Sequence, residues 1–161
     1  MICPVPIEQQ PINEYEQLKD SWFFSWATLT LPKYIKKLVL LALIGLIGAS
    51  PIAAYSFPVT KKPLLFTLAS GLGGFFILAI VLVQLYLGWR YVCDRLQQDV
   101  IFYEESGWYD GQSWAKTKEI LERDRLVVSY QVKPILTRLK QTILVLLGLV
   151  STDVVLWYLQ F

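Results

Sequence analysis

Three stretches of this chain are apolar almost without interruption. Leu38–Tyr55 is eighteen residues without a charge, Leu64–Trp89 is twenty-six, and Ile143–Phe161 is nineteen with one charge, Asp153. A helix crosses a bilayer with about 20 apolar residues. At ~1.5 Å per residue the second run reaches about 39 Å and crosses with tilt to spare. The first is near the minimum, with Pro51 near its end. Beginning it at Ile35 lets Lys36 and Lys37 snorkel to the headgroups. The predicted spans are therefore 35–55, 64–89 and 143–161. Helices of soluble domains keep a polar stripe, which the second run lacks. The link Ser56–Pro63 is short and proline-punctuated, so the first two spans form a hairpin. The first span follows a polar, partly acidic segment and is expected to be a retained anchor.

Between and before these runs the pattern changes. In segment 1–34, prolines at 4, 6 and 11 predict an extended start. Asn13 with Glu16 three residues on reads as a capping box opening a helix. Tyr15, Leu18, Trp22 and Trp26 share one face of that helix. It reads as an interfacial helix with aromatics at headgroup depth; the rival is an aromatic surface for a partner or pigment. In segment 90–142, the second helix is expected to run on through Arg95. Asp99–Glu105 has strand character, and Gly107 and Asp110-Gly111 are turn signals. A β-hairpin displaying Trp108, Tyr109 and Trp114 follows. Thr117–Gln131 is predicted to be an amphipathic helix, with Lys118–Glu122 and Glu119–Arg123 as i,i+4 pairs and Arg123, Asp124 and Arg125 on a solvated face. Lys133-Pro134 is expected to break or kink it.

The predicted fold class is an all-α membrane protein. It has three transmembrane helices, an N-terminal interfacial helix, and a small cytoplasmic β-hairpin plus amphipathic helix between helices two and three.

Small residues recur along the first two spans. Gly45, Ala49 and Ala53 form one stripe, Ser70 and Gly74 another. Such stripes let helices approach closely in lipid, within one chain or against a partner. Asp153 is the one charge at mid-membrane, costing at least ~2.5–3.5 kcal/mol on insertion scales. Its in-chain candidate partners are Gln84 and the neighbouring hydroxyls Ser151 and Thr152. Three roles stand open: a polar contact to a partner helix, the cap of a helix that ends early, or an ion, proton or pigment ligand.

Composition narrows the chemistry. Hydrophobic residues make up 55% and charged residues 17%, with mean hydropathy +0.45. The chain has no histidine, which excludes histidine-based catalysis and histidine ligation of zinc or haem. Two cysteines, Cys3 and Cys93, are too few for an all-cysteine metal site and are expected to be free thiols. No metal site is expected. A net charge of +2 does not suit a nucleic-acid binder. Phosphate-binding glycine loops and paired nucleophiles are missing, so no enzyme is expected. The basic residues divide four, two and nine among residues 1–37, the 56–63 link and residues 90–142. The positive-inside rule then puts the N-terminus and 90–142 on the cytoplasmic or stromal side, and the C-terminus opposite.

Three segments carry a resemblance. They are Cys3-Pro4-Val5-Pro6 with Glu8-Gln9-Gln10-Pro11, Asn13-Glu14-Tyr15 and Ser21-Trp22-Phe23-Phe24; Tyr103–Gln112 with Trp114; and Arg123-Asp124-Arg125-Leu126 with Tyr130–Pro134. The chain resembles a family of small thylakoid membrane proteins of cyanobacteria and plastids, carried as a hypothetical chloroplast reading frame and described as conserved in the green lineage and diatoms. The resemblance covers most of the chain. It implies a thylakoid location and a link to oxygenic photosynthesis, and no reaction. The expected function is a non-catalytic accessory or assembly factor docking on a photosynthetic membrane complex. Trp108, Tyr109, Asp110, Trp114 and Arg123–Arg125 would meet the partner's stromal side, and the small-residue stripes and Asp153 its helices. The alternatives are a pigment- or lipid-binding protein, for which chlorophyll or carotenoid would be the ligand, and an oligomeric small-solute or ion transporter.

Overall fold

The computed structural model describes residues 4–104 and 111–160. Its elements are α1 (Pro11–Asp20), α2 (Leu31–Ser56), α3 (Pro63–Gln97), β1 (Val100–Tyr103), β2 (Gln112–Ala115), α4 (Lys118–Val127) and α5 (Lys133–Tyr158). Three helical stretches are long and apolar enough to cross a membrane: Leu31–Ser56, Pro63–Gln97 and Lys118–Tyr158. Each reaches beyond its apolar run, because polar ends continue a helix once it is nucleated.

The chain divides into two compact units. One holds residues 1–28 and 85–138, the other residues 29–84 and 139–161. Helices α3 and α5 each continue from one unit into the other.

In the unit of residues 29–84 and 139–161, α2 and α3 pack through small residues. A Cβ added to Gly45 would lie 2.9 Å from the Gly74 Cα, and one added to Gly73 would collide with the Ala49 Cβ. Backbones this close are what interlocking small residues permit. Ala53 and Ser70 are buried in the same unit, and the Ser70 hydroxyl donates to the Phe66 carbonyl. Tyr34 donates to the Thr142 hydroxyl at 3.0 Å, and Phe57 meets Trp157 edge-on. Val39, Leu40, Ile44 and Ile47 of α2 remain exposed.

In the other unit, several expectations are corrected. The helix expected from the Asn13 cap through Trp26 is not continuous: α1 ends at Asp20, Ser21 is extended, and a 3-10 turn covers Phe24–Thr28. The N-cap of α1 is Gln10, with Pro11 in the first turn; Asn13 instead donates its side-chain amide to the Ile7 carbonyl. The proline at the first turn sets the start, since its missing N–H is one the helix leaves unused. Pro134 does not break the last helix. A π turn over Val128–Val132 joins α4 to α5 and shifts the bonding register just where the proline would leave the Tyr130 carbonyl without a donor.

Strands β1 and β2 pair antiparallel, with Ile101 opposite Trp114 and Tyr103 opposite Gln112. A lone two-stranded hairpin is marginal in water. Here Ile101 and Tyr103 bury one face against Val5, with Trp114 packed half-buried beside them. Trp114 is thus part of a small core, not a displayed side chain.

Candidate functional site

The unit of residues 1–28 and 85–138 is held by two ionic clusters. In the first, Arg95 near the end of α3 grips Glu14 of α1 bidentately, Nη2 to Oε1 at 2.9 Å and Nε to Oε2 at 3.1 Å. The same guanidinium donates to the carbonyls of Gln9 and Phe102. One side chain therefore ties α1, the N-terminal segment and β1 together, using the planar fork that distinguishes arginine from lysine.

The second cluster is deeper. Lys116, whose side chain is fully buried, donates to Asp124 Oδ2 at 2.9 Å and to the carbonyls of Arg95 and Leu96. Those carbonyls lie in the last turn of α3, where a helix leaves acceptors unused, so the ammonium spends all three donors and caps the helix. Asp124 is 1% exposed, and its Oδ1 accepts from Arg123 at 3.0 Å. The expectation of Asp124 on a solvated face is thereby corrected. It falls between Ile120 and Val128 at helical spacing, on the buried side of α4. Arg123 turns to Asp124 rather than back to Glu119. Arg125 is exposed and reaches Asp99 at 3.5 Å.

Tyr15 is also turned inward. It packs edge-on to Trp89 and donates its hydroxyl to the Gln131 side-chain oxygen. Burial raises its phenol pKa above the ordinary 10.0, and the charge of Glu16 adds to the rise. Trp89 in turn donates to the Phe24 carbonyl at 3.2 Å. Of the four aromatic-face residues, only Trp22 stands out to the surroundings, 77% exposed; Leu18 and Trp26 are half-buried. The face predicted to lie on lipid is thus largely an internal contact.

Over residues 3–145 the chain matches the family described as CGLD27-like, conserved in the green lineage and diatoms 27. The chain belongs to the CGLD27-like family. Its relatives include an uncharacterized protein ycf36 of Pyropia yezoensis, 46% identical over 97% of this chain and 94% of the relative. The ycf36 protein of Porphyra purpurea is 44% identical over the same shares. A chloroplastic Arabidopsis thaliana protein bearing the family description is 46% identical over 87% of this chain and 43% of its own length. No solved structure matches.

The remaining site residues of this CGLD27-like chain separate. Trp108, Tyr109 and Asp110 lie outside the described residues, as does Cys3. Cys93 is a buried free thiol. Asp153 does not cap an early helix end, because α5 continues to Tyr158. It is 6% exposed, its Oδ2 faces Gly71, and its Oδ1 is buried with no hydrogen-bond partner among the described residues. Ser151 and Thr152 give their hydroxyl protons to carbonyls one turn back, so neither serves Asp153. Gln84 is not its partner either. It is exposed and thirteen residues beyond Gly71 on α3, roughly 20 Å along the helix. Among the described residues, no group of three or more potential ligands is placed to hold a metal.

The residues that sequence reasoning missed are Arg95, Gln9 and Lys116. Their partners lie on other elements, and no local spacing signals such pairs.

Proposed function

We propose that this protein is a non-catalytic accessory or assembly factor that docks on a photosynthetic membrane protein complex of the thylakoid. The observation that carries the reading is where the ionic scaffold is spent. Arg95–Glu14, Lys116–Asp124 and the Val5–Ile101–Tyr103 core all converge on holding one short hairpin. Its connecting residues include Trp108-Tyr109-Asp110, chemistry suited to a protein contact. The name of the Arabidopsis relative, chloroplastic, and the family's description support a plastid membrane. The charge distribution supports the N-terminus and residues 90–142 on the stromal or cytoplasmic side, with the C-terminus opposite.

Two surfaces would share the docking. The hairpin loop and exposed Arg123 and Arg125 would meet water-facing parts of the partner. Exposed apolar side chains of α2 and α5 would meet lipid or partner helices. The Gly45, Ala49 and Gly74 contact is already made within the chain and would set the helix pair rigidly. Purification of the tagged chain from its native membrane in gentle detergent, read by mass spectrometry, tests the reading. A stoichiometric photosynthetic complex or assembly intermediate supports it; a lone chain counts against it.

A second reading, pigment or lipid binding, is favoured by two apolar grooves. One is lined by Leu72, Gly73, Phe76 and Val150, about 560 Å³ in volume; the other by Ile44, Gly48, Ile52 and Phe76, about 470 Å³. Both suit an acyl or polyene chain. The absorption spectrum of the purified protein separates pigment from colourless lipid.

A further inference from the structure

The motif that runs from Arg123 to Pro134 is only partly used by the scaffold. Asp124 is taken by Lys116, Arg123 by Asp124, and Gln131 by Tyr15. Arg125, Ser129 and Lys133 remain. With Gln97 at the end of α3 they line a polar groove of about 370 Å³, floored by the buried Val128. All four side chains can donate hydrogen bonds, and two are cations. Among the described residues Lys133 forms no ion pair, and the one carboxylate on the groove's cations is Asp99, at a long 3.5 Å from Arg125. Arg125, Ser129 and Lys133 follow one another at four-residue spacing and so share one face of the helix, with the π turn over Val128–Val132 running beneath them; such turns recur at functional sites.

We propose that this groove binds the phosphate group of a water-soluble phosphorylated small molecule. Two cations match a dianion, and guanidinium, ammonium, hydroxyl and amide donors around one volume match a tetrahedral oxyanion. The groove is larger than a bare phosphate, leaving room for an organic body. A lipid headgroup fits less well. Gln97 lies eight residues past the end of the apolar run at Trp89, about 12 Å along α3, whereas the headgroup layer is roughly 5–7 Å deep. Arg125 is shared with the proposed docking surface, but the inference concerns a ligand of the isolated chain, so its test reads out with no partner present.

The test is titration of the full chain, in nanodiscs of uncharged lipid, with inorganic phosphate and then with glycerol 3-phosphate, followed by calorimetry. Saturable binding of both is expected. Arg125→Gln with Lys133→Gln should weaken it about a hundredfold and Ser129→Ala about threefold to tenfold, as lost hydrogen bonds to a charged ligand do. Lys118→Gln, a cation of α4 outside the groove, should leave it unchanged. Ser129→Ala removes only a surface hydroxyl and keeps the test valid if the double variant fails to fold. No saturable binding to the parent chain would overturn the proposal. So would an equal loss in Lys118→Gln, or displacement of the phosphate by phosphatidylglycerol placed in the nanodisc, which would assign the groove to the bilayer.

Discussion

The side-chain amide of Gln9 donates to the carbonyl of Glu104 at 2.9 Å and accepts from the Glu104 backbone N–H, also at 2.9 Å. A glutamine ninety-five residues away thus pairs the backbone of the residue just past β1, as a third strand would. Its own carbonyl is held by Arg95, so the N-terminal segment is fastened at both the side chain and the main chain. Gln9→Ala removes both of these bonds to Glu104. It is expected to weaken local protection of β1 amides by about 1–2 kcal/mol in hydrogen exchange, with the long apolar helices unaffected. Unchanged exchange at Phe102–Glu104 would show that the pairing does not hold the hairpin.

The buried Lys116–Asp124 pair gives a sharper contrast. Asp124→Ala strands a buried ammonium and is expected to cost about 3–5 kcal/mol, read as a fall in melting temperature by tryptophan fluorescence in detergent. The double change Lys116→Met with Asp124→Leu removes both charges and is expected to cost clearly less. Equal losses in the two variants would mean that the pair is not desolvated.

The helix contact of α2 on α3 predicts a pattern among glycines. Gly73→Ala meets the Ala49 Cβ and Gly45→Ala meets the Gly74 backbone. Each is expected to cost about 1–3 kcal/mol as an overpacked contact. Gly48→Ala and Gly148→Ala meet nothing within 4 Å and should be neutral or slightly stabilising, since alanine favours helix by up to ~1 kcal/mol. Thermal melting of the four variants distinguishes this contact from one made by a partner, in which all four would behave alike.

The three long apolar helices were legible because uncharged runs of this length have few other uses. The Gly45, Ala49 and Gly74 contact was legible from its four-residue period. The reading failed where a face was visible but its neighbour was not. Tyr15, Leu18, Trp22 and Trp26 are periodic in sequence, yet α1 ends at Asp20 and splits the set, so Tyr15 turns to Trp89 while Trp22 stands exposed. Asp124 carried a usable signal, its spacing from Ile120 and Val128, but a charge between arginines reads as solvated until Lys116 is seen. Arg95 with Glu14 and Gln9 with Glu104 are long-range pairs, closed by the fold itself.

Tyr15 makes the scaffold sensitive to alkali. Its folded pKa is raised by burial and by Glu16, so the folded chain holds the phenol proton more tightly than the unfolded chain does. The resulting stability is complete below the unfolded value near 10.0 and is lost as pH rises through the folded value. The parent should therefore lose more stability than Tyr15→Phe between pH 9 and about pH 11, both melted in the same detergent. Parallel losses would remove Tyr15 from the account.

The most direct test of the docking claim is co-purification of the tagged Trp108→Ala, Tyr109→Ala chain beside the parent, from native membranes in gentle detergent. The account predicts that both chains insert at equal levels, that the parent carries a photosynthetic complex in fixed ratio, and that the double variant loses it. Equal recovery of the complex with both chains would contradict docking through the hairpin.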